Sequence, residues 1–272
     1  MRSQFTEQDT EAFYDAEDEL YRSFWDSEGS LHWGLFDAGT GGDFLKACAN
    51  LNRVMAHKAG INGRSRVLDL GCGNGNTASW LCQTTGCQVT GVDLSGVRIA
   101  NASSAAQKLP EEVRSQLSFQ KASATDLPFN DQSFTHVWSQ ATIYHVHEKE
   151  LALKQAHRTL ETGGLFIFDD LLKPRPDISE TARKYVYQRL LFDTPYSFYT
   201  YQDALQDVGF QVLEAQDLSE HLKRSYQCLT QMALDRSKGA DDEFQHLSFA
   251  YQQMVQAIAN RELGWGMYLC RK

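Results

Sequence analysis

The run Arg66-Val67-Leu68-Asp69-Leu70-Gly71-Cys72-Gly73-Asn74-Gly75 constrains this chain more than any other, because an apolar stretch passes directly into three alternate glycines. A short apolar run bounded by glycine reads as a buried strand. The glycines let the backbone turn sharply and approach a ligand with no side chain between. Further on, Gln88-Val89-Thr90-Gly91-Val92-Asp93 is a second apolar strand that ends in a carboxylate. Strand, glycine turn, helix and a second strand ending in Asp form the unit that binds adenosine-containing cofactors, the acid taking the ribose hydroxyls.

Glycine spacing separates the cofactors. The dinucleotide fingerprint needs glycine at the first, third and sixth positions, the sixth for close helix packing. Here the glycines are first, third and fifth, and the sixth position is Asn76. Asp69, two residues before the first glycine, is an acid in a buried strand that hydride transfer does not need. It suits orientation of the loop and of a ligand ammonium. Asp69, Gly71, Gly73, Gly75 and Asp93 together resemble the class I S-adenosylmethionine-dependent methyltransferases. A nicotinamide-dependent oxidoreductase and a non-catalytic cofactor-binding protein are the alternatives.

The chain has 272 residues, with 26 Lys+Arg against 35 Asp+Glu and a formal charge of −9. No basic stripe offsets that charge, so a phosphate backbone is repelled and nucleic acid is not expected as a partner. No apolar run reaches about 18 residues and no basic segment precedes an apolar one, so neither a membrane span nor a signal peptide is expected. Six cysteines stand at 48, 72, 82, 87, 228 and 270 with no C-x-x-C pair. Reduced thiols and a cytoplasmic location are expected. Composition does not choose between monomer and homodimer.

Residues 7–28 are acid-rich and carry Phe13, Tyr14, Leu20, Tyr21, Phe24 and Trp25 at helical spacing, and a second helical stretch places Phe44, Cys48, Leu51 and Met55 on one face. The pattern then alternates: strand 66–70, helix from Thr77, strand 88–93, helix from Gly96, strands 117–121 and 134–138, helix from Glu148, strand 165–170. Such alternation predicts a mostly parallel sheet with helices on both faces. The Lys173-Pro174-Arg175-Pro176 segment opens an apparent helical insertion at 174–198, a candidate lid. Thr200 with Asp203 reads as a capping box. Strand 208–214, helices 218–236 and 241–260 and a last strand 265–270 complete the chain. This divides it into a helical N-terminal cap (1–60), a cofactor-binding core (61–172), the insertion (173–199) and a rear part (200–272).

Further stretches are similar to the small-molecule branch of these methyltransferases, which includes dimethylglycine and sarcosine N-methyltransferases, sugar and polyketide O-methyltransferases, and tocopherol and sterol C-methyltransferases. They are Phe13-Tyr14-Asp15, Leu31-His32-Trp33-Gly34, Leu127-Pro128-Phe129, Ser133 to Gln140, Arg158-Thr159-Leu160 with Gly163-Gly164, and Asp203 to Phe210. The rear half from Trp138 to Arg271 is most similar to dimethylglycine methyltransferases. The resemblance implies a Rossmann-like, seven-stranded doubly wound α/β sheet, its last strand antiparallel between its neighbours. It also implies S-adenosyl-L-methionine as cofactor, the methionine part at the glycine loop and the ribose at Asp93, with Gln140 beside the cofactor. The family's adenine-contacting acid is Ser123 here, which moves that contact to Thr125 or Asp126.

Methyl transfer from a sulfonium is an in-line displacement, so the protein mainly aligns the reactants and excludes water. An oxygen acceptor or a protonated amine also needs a base, which histidine supplies near neutral pH. His145, at the family position facing the methyl group, is the candidate, and Asp170, closing strand five, is expected to orient it or attract a cation. The plainer reading is that both residues are structural. His145 and His147 lack a third ligand, so no metal is expected. Tyr14 resembles an N-terminal tyrosine that folds over the methionine part. His32, Trp33, Tyr144 and Tyr196, with Trp25, Phe192, Phe198 and Tyr199, are candidates for the substrate pocket or else for packing. The expected activity is methyl transfer to oxygen or nitrogen of a small molecule, with carbon of a prenyl or quinol-type substrate as the alternative.

Overall fold

The computed structural model describes residues 5–24, 32–237 and 242–272; Trp25 and Leu31 lie outside them. Helices α1 (Glu7–Phe24) and α2 (Phe44–Lys58) precede β1 (Arg66–Leu70). There follow α3 (Asn76–Thr85), β2 (Gln88–Asp93), α4 (Gly96–Ala106), the short α5 (Glu111–Arg114), β3 (Leu117–Lys121) and β4 (Phe134–Gln140). The chain continues through α6 (Lys149–Thr159), β5 (Leu160–Leu172), α7 (Glu180–Ala182), α8 (Phe198–Val208), β6 (Gln211–Asp217), α9 (Ser219–Arg236), α10 (Glu243–Ala259) and β7 (Gly264–Arg271).

The seven strands lie in the order β3-β2-β1-β4-β5-β7-β6. Neighbours run parallel, except that β7 is antiparallel to both β5 and β6. The order reverses between β1 and β4, which opens a crevice at their carboxyl ends. Alternation along the strands divides the core. Trp138, Ile167, Trp265 and Met267 pack with α2, α9 and α10 on one face. Val137, Phe166, Phe168 and Tyr268 meet Leu153, Tyr201 and Leu205 of α6 and α8 on the other.

Several boundaries differ from the sequence reading, three of them through a specific pairing or cap. Strand β5 starts at Leu160, not 165, because Leu160 pairs with Phe134 across a register shift. Helix α8 starts at Phe198, capped by Ser197, whose side chain accepts from the Thr200 amide while Thr200 bonds back, so the box is Ser197 with Thr200 rather than Thr200 with Asp203. Gly209, at φ 110°, ends that helix in the left-handed conformation and delays β6 to Gln211. The 174–198 segment is built into the core. Val186 and Phe192 are fully buried, the Tyr187 hydroxyl donates to the Glu262 carbonyl (2.6 Å), and the Ser179 amide donates to Glu262 Oε1 (2.6 Å).

Candidate functional site

The crevice is a cleft lined by Asp69, Gly71, Gly73, Thr77, Asp93, Arg98, Ala122, Ala124, Gln140, Ala141, Thr142 and His145, with Glu7, Thr10, Glu11 and Tyr14 of α1 and with His32. Gly71 leaves β1 at φ 82°, and a Cβ there would overlap the Thr142 side chain. The Gly71 and Cys72 amides both donate to the Val92 carbonyl (2.8 and 2.9 Å), which fastens the loop to β2. Gly75 stands behind the lining, at φ 78° as the N-cap of α3. Gly75 offers α3 no side-chain cap, and a helix N-terminus facing a cleft suits an anion. On the far wall Ala141 holds φ 50°, a strained conformation for alanine of the kind that collects at functional sites. It swings Thr142 onto the loop and sets up the single 3-10 turn Ile143–His145.

Charge in the cleft is predominantly negative. Asp93 accepts from the Gly73 amide at Oδ2 and from the Ser95 amide at Oδ1 (both 2.9 Å). Burial raises its pKa, partly offset by Arg98. Asp69 is 3 % exposed, and its Oδ2 has no hydrogen-bond partner. Burial, then the neighbouring Asp93, pushes its pKa up to about 7. A buried carboxylate oxygen without a donor is costly, and a hydrogen-bond donor on a ligand would relieve it.

Helix α1 spans the cleft like a strap, and its polar contacts fall on one face at i, i+4, i+7 and i+8. Glu7 accepts from the Ser123 hydroxyl (2.5 Å), Glu11 pairs with Lys121 (2.5 Å), Tyr14 bonds His145 Nε2 (2.6 Å), and Asp15 accepts from the Ser95 hydroxyl (2.5 Å). The Arg98 guanidinium lies 4.0 Å over the Tyr14 ring. Glu7, Glu11 and Arg98 were not singled out in the sequence. The spacing of Glu7, Glu11 and Tyr14 was the available signal.

The expected site residues divide as follows. Tyr14, Asp69, Gly71, Gly73, Asp93, Gln140, His32 and His145 come together in the cleft. Gln140 spends both ends on protein, accepting from Thr77 (3.2 Å) and Trp138 (3.1 Å) and donating to Asn52 (2.8 Å). Thr125 and Asp126 are outside the lining; Asp126 is exposed, and the alanines at 122 and 124 face the cleft instead. Trp33 and Tyr144 are buried side by side, ring centroids 6.2 Å apart.

Asp170 does not reach His145. It lies on the opposite sheet face, where its Oδ1 accepts from the Tyr144 amide (2.8 Å) and its Oδ2 from the Tyr201 hydroxyl (2.9 Å). It therefore holds the backbone of the 3-10 turn and is fully buried. Tyr196 is on that same face, its ring tilted against Tyr201 at 4.6 Å, so it does not line the cleft; Phe198 packs on Tyr268 there and Tyr199 is exposed. Phe192 is core, 4.8 Å from Tyr187. His145 also departs from expectation. Burial first, then Lys149, pushes its pKa down to about 3, so the imidazole is neutral over the working range and is not a base poised near neutrality.

The fold and this cleft define a class I S-adenosylmethionine-dependent methyltransferase. A family described as a methyltransferase domain matches residues 68–168. The sarcosine/dimethylglycine N-methyltransferase of Halorhodospira halochloris is 27 % identical over 276 residues, covering 96 % of this chain and 94 % of that one. The glycine/sarcosine/dimethylglycine N-methyltransferase of Actinopolyspora halophila is 29 % identical over 270 residues; the match covers 95 % of this chain but only 46 % of that protein. Among solved structures, geranyl diphosphate C-methyltransferase from Streptomyces coelicolor A3(2), in complex with geranyl diphosphate and S-adenosyl-L-homocysteine, aligns with a TM-score of 0.79 over 97 % of both chains at 15 % identity. The chain is thus an S-adenosylmethionine-dependent methyltransferase, similar to enzymes that act on small molecules, with S-adenosyl-L-methionine as its cofactor.

Proposed function

We propose that this enzyme methylates nitrogen of a small molecule, with oxygen as the nearest alternative acceptor. The bound sulfonium supplies an electrophilic methyl carbon. Asp69 takes the cofactor ammonium, the first turn of α3 its carboxylate, and Asp93 the ribose. The orphaned oxygen of Asp69 carries this reading, since no described donor satisfies it. Neutral His145, tied to Tyr14, borders the methyl-transfer position and fixes the acceptor as a hydrogen-bonding wall.

Nitrogen is favoured by Asp169, which points to the face opposite Asp170. Its Oδ1 accepts from Trp265 Nε1 (2.8 Å), while its Oδ2 is buried without a partner. Burial and Asp170 push it up to about 8 despite Trp265. Trp33 lies 5.7 Å from Trp265, and aromatic faces beside a carboxyl favour a cation. In the same reading the protein is a cytoplasmic monomer or homodimer that binds neither nucleic acid nor membrane. All six cysteines are free thiols, and among the described residues no helix is long and apolar enough to cross a membrane.

The test is calorimetric titration of S-adenosylmethionine and S-adenosylhomocysteine, with a nicotinamide dinucleotide as control. A labelled-methyl screen of amines, phenols and prenyl compounds follows. Amines are expected to accept the label. Exclusive labelling of prenyl carbon would overturn the acceptor, and tight cofactor binding without any transfer would favour a non-catalytic role. His145→Ala is expected to keep cofactor binding and lose turnover, and full activity in that variant would remove His145 from the site.

A further inference from the structure

We infer that Glu7, on the N-terminal strap, accepts the hydrogen bond of the cofactor's adenine amine, so that the base helps to hold α1 closed. The inference rests on the methyltransferase reading above and concerns a residue from outside the sheet.

The cleft runs along three adjacent strand ends. The glycine loop leaves β1, Asp93 closes β2, and Ala122 and Ala124 follow β3. Neighbouring strands are about 4.8 Å apart, so a ligand with its amino-acid part at the loop and its ribose at Asp93 carries its base over the end of β3. The walls there are apolar or small: Val92, Leu94, Ala122 and Ala124. These suit the faces of a purine but offer its exocyclic amine no side-chain acceptor. The residues of the loop are turned to other work, since the Ser123 hydroxyl accepts from the Thr125 amide (3.1 Å) and Asp126 is exposed.

Glu7 fills that gap. Its Oε1 meets the Ser123 hydroxyl at 2.5 Å and the Thr125 hydroxyl at 3.4 Å, and the residue lines the cleft. A carboxylate has about four acceptor positions. Oε2 receives no hydrogen bond from the described residues, which leaves it for a ligand donor. The start of the helix is fixed where this requires it: the Thr6 amide donates to Asp9 Oδ2 (2.8 Å) and the Asp9 amide to Thr6 Oγ1 (3.2 Å), a reciprocal cap that sets Glu7 in the first turn.

The experiment compares the binding of S-adenosyl-L-homocysteine and S-inosyl-L-homocysteine, in which oxygen replaces the amine, to the full chain by calorimetry. The wild type is expected to prefer the adenine ligand, and Glu7→Ala to weaken that ligand about tenfold or more while leaving the inosine ligand unchanged, so that the preference collapses. Ser123→Asp in the Glu7→Ala background, which places a carboxyl beside the vacated position, is expected to restore the preference. Equal weakening of both ligands would show that Glu7 only fastens the strap, and an unaltered preference would show no contact; either result overturns the inference, as does failure of the double variant to recover any preference. Thermal unfolding of each variant separates these outcomes from misfolding. Absence of adenine-ligand binding by the wild type would instead bring down the cofactor reading itself.

Discussion

Two segments cover the carboxyl edge of the sheet, and they are held by different physics. The 174–198 segment inserts Val186 and Phe192, both fully buried, and stacks Tyr187 on Phe192. Helix α1 reaches the cleft through carboxylates, hydroxyls and one tyrosine, with Phe13 partly buried against the core, and of its described side chains only Thr10 is more than partly buried. Burial of large apolar groups contributes about 1.5–3 kcal/mol per side chain, whereas exposed ion pairs such as Lys121–Glu11 contribute about 0–1 kcal/mol. Among the described side chains, α1 is therefore held by the weaker contacts, and it rather than 174–198 is the segment expected to open.

The largest effect that can break this comparison is Phe192→Ala. Removal of a fully buried phenyl ring is expected to cost about 3–5 kcal/mol of global stability, read as a lowered Tm by circular dichroism, with unchanged affinity for S-adenosylhomocysteine wherever the variant is folded. A wild-type Tm would mean that the segment is a detachable flap after all.

A smaller effect sharpens the polar side of the comparison. The pKa of Asp69 is raised to about 7 from an ordinary value near 3.8, so the folded protein binds this proton more tightly than the unfolded chain. Its contribution to the stability of the unliganded protein accordingly falls as pH rises from about 4 to about 7. A cofactor ammonium favours the ionised form, so affinity is expected to rise with pH up to about 7, by at most about tenfold per unit. Calorimetry between pH 5.5 and 8 checks this, and Asp69→Asn should flatten the profile. A profile unchanged by that substitution would remove Asp69 as the ammonium partner.

The cofactor half of the molecule was readable in the chain because its geometry is local. A strand, three glycines and an acid at the next strand end determine one another within a short stretch, and the structure places Asp69, Gly71, Gly73 and Asp93 around one cleft. Period-two alternation likewise separates Asp169 from Asp170, but it does not say which face holds the acceptor. Position at a strand end and the family resemblance both point Asp170 to the site. Only the three-dimensional packing of α8, far along the chain, shows that Tyr201 occupies it. Glu7 and Arg98 were invisible for the same reason, since their partners Ser123 and Tyr14 are distant in sequence.

The smallest effect concerns the Tyr14 hydroxyl, which ties the strap to the His145 turn. Tyr14→Phe keeps the ring beneath Arg98 and removes only the hydroxyl that lies 2.6 Å from His145 Nε2. Loss of one neutral hydrogen bond is expected to weaken closure by about 1 kcal/mol, too little to move the global Tm far. Amide hydrogen exchange should report it where calorimetry of unfolding does not: exchange across 7–24 should be faster than in the wild type with S-adenosylhomocysteine bound, while 183–192 stays as protected as before. Local opening free energies of this kind differ between segments of one fold. Equal acceleration in both segments would mean that strap and insertion open together, and the distinction between a polar cover and an apolar one would fall.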